Sequence, residues 1–208
     1  MRYIELYAYP LSGKSTFLKS LNKNKLIQTK LVSTKKTFSR FLYVFLFLIT
    51  NRELIKFYFK LPIKTNNFKS SFRKYLSFSG RYRDYYLNQN NKENTLLDEG
   101  ICQSIWGLLT FFDYKNYEVE IDELVEYAFN NLFFNKKITI VTFNEVPYEE
   151  FVLRSKTRVY FHTYINSVIK KDEVSIRKYK YCFELILLKA NKESLVCSKS
   201  DFLNKVNK

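Results

Sequence analysis

Nine residues near the start of the chain, Ala8-Tyr9-Pro10-Leu11-Ser12-Gly13-Lys14-Ser15-Thr16, constrain its fold more than any other stretch. The segment before them, Arg2 to Tyr9, reads as a strand. Ile4, Leu6 and Ala8 fall on one face and Tyr3, Tyr7 and Tyr9 on the other, the pattern of a strand buried on both sides. Lys14 to Leu21 then places Phe17, Leu18 and Leu21 at helical spacing. A Gly-Lys-Ser tripeptide alone is common, but a strand, a tight loop and a helix in that order supply the context of a phosphate-binding loop. Such a loop aims successive backbone N–H groups at phosphate oxygens, places a lysine on the β- and γ-phosphates, and gives a hydroxyl to Mg²⁺. Ser12, Gly13, Lys14, Ser15 and Thr16 are the residues expected to hold ATP, with Ser15 as the hydroxyl ligand of the metal. The full pattern has glycine at both ends of the loop. Here Ala8 replaces the first, which requires a negative φ at that position.

Thr95-Leu96-Leu97-Asp98-Glu99-Gly100 is a second marker, a short strand ending in two acids and a glycine. A loop hydroxyl holds Mg²⁺ together with an acid at the end of a neighbouring strand, and Asp98 is the natural partner of Ser15. Glu99 is placed to orient or deprotonate an acceptor at the carboxyl end of the sheet, where α/β sites form. Gln103 and Trp106, on the helix that follows, fall near the same place. A third marker is Arg154 and Arg158, four residues apart and so on one helix face, where they can clamp a triphosphate and offset charge on a transferred phosphoryl group. Each marker also has a plain structural alternative. Acids cap strand-to-helix turns, and basic pairs often line a solvated helix face.

The 208 residues suit one domain with a substantial core. Only four glycines and three prolines occur, so no linker rich in either divides the chain. The expected elements are a strand at Leu26–Ser33, helix from Phe38 to about Leu61 ending at Pro62, and a helix at Phe68–Leu87 that Gly80 could interrupt. After the acidic strand come helices at Ile101–Phe112 and Ile121–Leu132, a strand at Lys137–Asn144, and a helix opening near Val146–Glu150. Helix then extends over much of Val159–Lys192, before a strand at Ser194–Ser198 and a closing helix at Phe202–Val206. This order predicts an α/β domain over 1–208, a three-layer fold with a mostly parallel five-stranded sheet and helices on both faces. Residues 38–88 form a helical acceptor-side region, and 148–165 a lid-like one.

A net charge of +15 attracts anions, but the lysines are scattered and form no nucleic-acid motif. Specific nucleic-acid binding is therefore not expected, and phosphorylated small molecules would feel the same field. Cys102, Cys182 and Cys197 lack paired zinc spacing and fit a reduced, cytoplasmic setting. The first residues read as a strand rather than a signal peptide. His162 is the only histidine, so serine–histidine chemistry could run only through it. Phe41–Ile49 is a run of nine apolar residues, too short for a membrane span of about 20. A buried core helix is the expected reading, with peripheral membrane contact as the alternative. A homodimer is left open.

Taken together, Ser12-Gly-Lys-Ser-Thr16, Leu96-Leu-Asp-Glu-Gly100 with Ile101-Cys-Gln103, and the Val141–Pro147 strand leading to Arg154-Ser-Lys-Thr-Arg158 resemble the P-loop nucleoside and nucleotide kinase group, thymidylate-kinase-like proteins above all. The resemblance covers most of the chain, but only the first motif is specific. It implies ATP and Mg²⁺ as cofactors, a small-molecule acceptor, and functional roles for Lys14, Ser15, Thr16, Asp98, Arg154 and Arg158. Arg81 and Arg83, in Gly80-Arg-Tyr-Arg-Asp84, resemble acceptor-side arginines of such kinases. Ala8, Leu11 in place of a common second glycine, and the lack of an Asp-Arg-Tyr/His motif near Asp98 depart from the pattern and disfavour a true thymidylate kinase. Two other functions fit the same sequence: a nucleotide-binding regulatory or assembly protein, and a membrane-surface kinase of a lipid- or polymer-linked sugar.

Overall fold

The protein is described from a computed structural model, over residues 3–9, 12–23, 30–31, 38–61, 68–88, 95–97, 99–110, 117–132, 138–143, 173–193 and 196–206. Its elements are β1 (Tyr3–Tyr7), α1 (Lys14–Lys23), β2 (Lys30–Leu31), α2 (Phe38–Thr50), α3 (Arg52–Lys60), α4 (Phe68–Asn88), β3 (Thr95–Leu97), α5 (Ile101–Leu109), α6 (Tyr117–Leu132), β4 (Ile138–Thr142), α7 (Glu173–Lys192), β5 (Val196–Ser198) and α8 (Lys199–Val206).

The five strands form one sheet in the order β2-β3-β1-β4-β5. Every pairing is parallel. β1 lies at the centre, Tyr3 to Glu5 paired with Thr95 to Leu97 and Tyr3 to Tyr7 with Ile138 to Thr142. From β1 the chain crosses to the edge strand β2, returns inward to β3 beside β1, and then passes to β4 and β5 on the other side. The connections leaving β1 and β3 run to opposite sides, so the switch point lies between the carboxyl ends of these two strands, and open parallel sheets bind ligands there.

All five residues of β1 are buried, because helices cover both faces. Ile4, Leu6 and Ala8 pack with Phe17, Leu18 and Leu21 of α1 and Phe202 of α8. Tyr3 and Tyr7 turn the opposite way, into a larger core with side chains from α3, α4, α5, α6 and α7. The Tyr7 ring stacks on Phe183 at 4.3 Å and 9° between planes. Its hydroxyl donates a 3.2 Å hydrogen bond to the Phe183 carbonyl. Trp106 stands edge-on to the same tyrosine and donates from Nε1 to the Tyr179 carbonyl, so one aromatic cluster joins β1, α5 and α7.

Several boundaries differ from the sequence reading. The helix expected from Phe38 to Leu61 is two helices, α2 and α3, parted at Asn51. Asn51 leaves the helical region at φ −108°, ψ 87°, while its side-chain amide donates to the Phe47 carbonyl at 3.0 Å. That side chain caps the end of α2, as asparagine does where helices stop. α4 runs unbroken through Gly80. β2 spans only Lys30 and Leu31 among the described residues, α6 starts four residues early at Tyr117, and α8 starts at Lys199, where Ser198 Oγ accepts from the Asp201 amide at 3.1 Å.

α2 is not the buried core helix that its composition suggests. Among the described side chains of this helix Val44 is buried and Phe47 and Leu48 partly so, whereas Leu42, Phe45, Leu46 and Ile49 are each about half exposed. The helix packs along one stripe, where Phe47 meets Tyr82 and Tyr86 of α4, and that leaves its other side open. No helix among the described residues is long and apolar enough to cross a membrane.

The cluster at Tyr7 separates packing from hydrogen bonding in a measurable way. Tyr7→Phe removes only the donor and is expected to cost about 1 kcal/mol, while Tyr7→Ala empties the stack and should cost about 3–5 kcal/mol. Denaturant midpoints of the two variants check this, and equal losses would contradict it.

Candidate functional site

The turn expected to bind phosphate is described at Tyr9 and from Ser12 onward. Ser12 donates its amide to the Tyr9 carbonyl at 3.3 Å, closing the turn, and Gly13 follows at φ +88°. Residues with a side chain rarely occupy that left-handed region, so glycine is required at this position. The first helical bond of α1 runs from the Phe17 amide to the Gly13 carbonyl at 2.9 Å. The Ser15 and Thr16 amides therefore precede any intrahelical acceptor, and the helix end carries partial positive charge. Ser15 and Thr16 are exposed, Ser12, Gly13 and Lys14 partly so, and among the described residues, chain neighbours aside, no atom lies within 4 Å of where a Gly13 Cβ would stand. Backbone donors with open space before them suit a phosphate chain.

Ala8, in the place of the first glycine, is buried with its side chain in the apolar cluster beneath α1. Its amide donates to Gln103 Oε1 at 3.4 Å. The methyl group thus faces the core rather than the ligand side. Tyr9 is stacked on Phe183 at 3.9 Å and meets Trp106 edge-on at 5.9 Å, which roots the start of the loop in α5 and α7.

Beside the loop lies a residue absent from the sequence reading. Glu5 sits in mid-strand, fully buried, on the same face as Tyr3 and Tyr7. Its Oε1 accepts the Gln103 amide at 3.0 Å, at the amino end of α5, and its Oε2 has no hydrogen-bond partner among the described residues. Burial pushes the Glu5 carboxyl up to about 7, against the opposing pull of the Gln103, Cys102 and Ile101 amides and the charge of Lys14. Gly100 is the reason the carboxylate fits. A Cβ there would lie 2.2 Å from Glu5 Cδ. The available signal was a charged residue inside a strand otherwise apolar on both faces.

The other expected site residues divide into two groups. Gln103 lies at the loop, but its side chain holds the Ala8 amide. Arg81, mostly buried on α4, forms a 2.8 Å ion pair with the more exposed Glu99, so two of the residues singled out from the sequence stand together. Arg83 reaches its neighbour Asp84 at 3.6 Å. Asp98, Arg154, Arg158, the lid-like region 148–165 and His162 lie outside the described residues. Among the described residues, no three His, Cys, Asp or Glu side chains cluster as a metal site. Cys102 and Cys182 are buried free thiols, and burial pushes both up, Cys182 to about 12, which makes them poor nucleophiles.

Comparison with known proteins adds little to this geometry. No protein-family model matches the chain, and no curated protein matches it. Similar solved structures are deoxyadenosine kinases. One, from M. mycoides with products dCMP and a flexible dCDP bound, is 12% identical at a TM-score of 0.47, over 99% of this chain and 98% of that one. Another, from the same organism with bound dATP, is 13% identical at a TM-score of 0.46, over all of both chains. A likeness this distant carries no weight on activity.

The Glu5 pocket can be tested in two ways. Folded Glu5 holds its proton more tightly than the ordinary 4.5, so stability is full at low pH and is lost as pH rises from about 4.5 to about 7. Each pH unit across that interval is worth about 1.4 kcal/mol, so the wild type should lose a few kcal/mol relative to Glu5→Gln, read from melting temperatures. Parallel melting profiles would refute this. Gly100→Ala should cost about 1–3 kcal/mol through the clash with Glu5, whereas Gly107→Ala on the same helix, with open space around it, should cost nothing.

Proposed function

We propose that the chain is an ATP-dependent phosphotransferase of the P-loop kinase kind, acting on a small nucleoside, nucleotide or sugar-type acceptor. The observation that carries this reading is the turn at Gly13, φ +88°, which delivers the chain into α1 at Lys14 directly beyond the carboxyl end of the central strand. Open amides, a lysine and hydroxyls at such a point bind a polyphosphate.

In this reading Lys14 and the amides of Gly13 to Thr16 hold and neutralise the phosphates. Ser15 and Asp98 would hold Mg²⁺, which supplies charge neutralisation between the β- and γ-phosphates when bound. Glu99 or Asp98 orients the acceptor hydroxyl or phosphate and takes up its proton, and Arg154 and Arg158 close over the transferred group. Arg81, ion-paired with Glu99, would recognise the acceptor together with Arg83. Gln103 contributes by fixing the loop at Ala8.

A nucleotide-binding regulatory or assembly protein is the second reading. The half-exposed apolar face of α2 favours it, because a small-molecule kinase has no need of such a face.

Calorimetry with Mg·ATP and Mg·GTP tests the shared core of both readings. Lys14→Ala is expected to weaken binding about 10- to 100-fold, the loss of one charged hydrogen bond. Unchanged affinity, or no binding by the wild type, would remove the nucleotide site. ADP release that depends on an added nucleoside, nucleotide or sugar supports the kinase, and release indifferent to every acceptor supports the regulator.

A further inference from the structure

Among the described residues, Glu5 is the one buried acid with a free oxygen beside the phosphate-binding loop, and nothing in the reaction outlined above uses it. Three contacts place it. Oε1 takes the Gln103 amide at 3.0 Å, Gly100 closes over its side chain, and Gln103 in turn holds the Ala8 amide at 3.4 Å. A chain of bonds thus runs from mid-strand, through the first turn of α5, to the first residue of the loop. The remaining neighbours are defined as well. Leu97 and Ile140 flank Glu5 in the sheet, Tyr3 and Tyr7 share its face of β1, Cys102 stands on α5, and Lys14 supplies the positive charge from α1.

We propose that Glu5 is a proton-linked positioning residue, which as a carboxylate holds the amino end of α5 and, through Gln103, the start of the loop, and takes up a proton when polyphosphate binds. The proposal rests on the nucleotide-site reading above. The direction follows from electrostatics. Polyphosphate draws the charge of Lys14 onto its own oxygens and adds negative charge nearby, and both changes disfavour an ionised Glu5. Burial already raises the Glu5 carboxyl to about 7, so its protonation is within reach near neutral pH. No bond forms or breaks in this step other than the O–H bond to the incoming proton. One solvent proton moves to Glu5, which remains an acceptor for the Gln103 amide through its carbonyl oxygen. By reciprocity, anything that ionises Glu5 weakens polyphosphate binding by the same factor.

The test is calorimetry of Mg·ATP binding to the full chain at pH 7, in buffers of different ionisation enthalpy, beside Glu5→Gln. The wild type should take up protons on binding, and its affinity should fall about fivefold from pH 6 to pH 8, as it would if bound nucleotide made Glu5 hold its proton about ten times more tightly. Glu5→Gln should bind without that uptake and lose less than about twofold over the same range, since comparison between the two cancels the titration of the phosphates themselves. Equal proton uptake in both proteins, or none in the wild type, would overturn the proposal while leaving the nucleotide site intact. No binding by wild type at any pH overturns the nucleotide site and the proposal with it. Should the variant not fold, the carboxyl resonance of Glu5 in the ¹³C-glutamate-labelled wild type, titrated with and without Mg·ATP, decides between the same outcomes: a rise on binding supports the proposal, and a fixed or falling value refutes it.

Discussion

The architecture depends on the burial of β1 on both faces. A central parallel strand has its backbone paired on either side, so its side chains decide what each helical layer can be. Ile4, Leu6 and Ala8 offer small, smooth aliphatic surface, and α1 and α8 close over it. Tyr3 and Tyr7 project large rings that only a thicker layer can cover, and α3 to α7 supply it. The loop at the end of the strand inherits this rigidity. Ala8 and Tyr9 are each fixed in one of the two cores before the chain turns, and Gly13 can then adopt a conformation dictated by the turn alone.

Glu5 breaks that apolar pattern at the centre. Burying a carboxylate is costly unless hydrogen bonds or charge compensate, and here compensation comes from the amides that open α5 and from Lys14. The arrangement ties three parts of the site to one side chain. It also explains why a glycine precedes α5, since any larger residue at position 100 would collide with the acid. Conflicts of this kind collect at functional sites, where local preference yields to chemistry.

The helical side shows the opposite economy. α2 is apolar almost throughout, yet it meets its neighbours along a single stripe and leaves Leu42, Phe45, Leu46 and Ile49 half in solvent. Composition predicted burial because periodicity cannot tell a helix covered on all sides from one at the edge of a layer. The split at Asn51 has a similar origin. Both halves are helical by pattern, and the break is visible only as a side-chain bond from Asn51 to the turn before it.

By itself the sequence determined the strand before Lys14, the glycine turn and the helix after it, and the alternation of helices with parallel strands. Those features are local: period-2 and period-3.6 patterns, one obligatory glycine, and turn residues act within a few positions of one another. Tertiary structure alone decided which of the flagged groups meet. Arg81 finds Glu99 across 18 positions, Gln103 turns from the acceptor side to the Ala8 amide 95 positions away, and Glu5 meets the start of α5 across 98. No periodicity encodes such pairs, because they follow from strand order, and strand order is fixed only when both cores close at once. The loop can therefore be read from nine residues, while the acid that supports it becomes visible only when β1 and α5 are seen side by side.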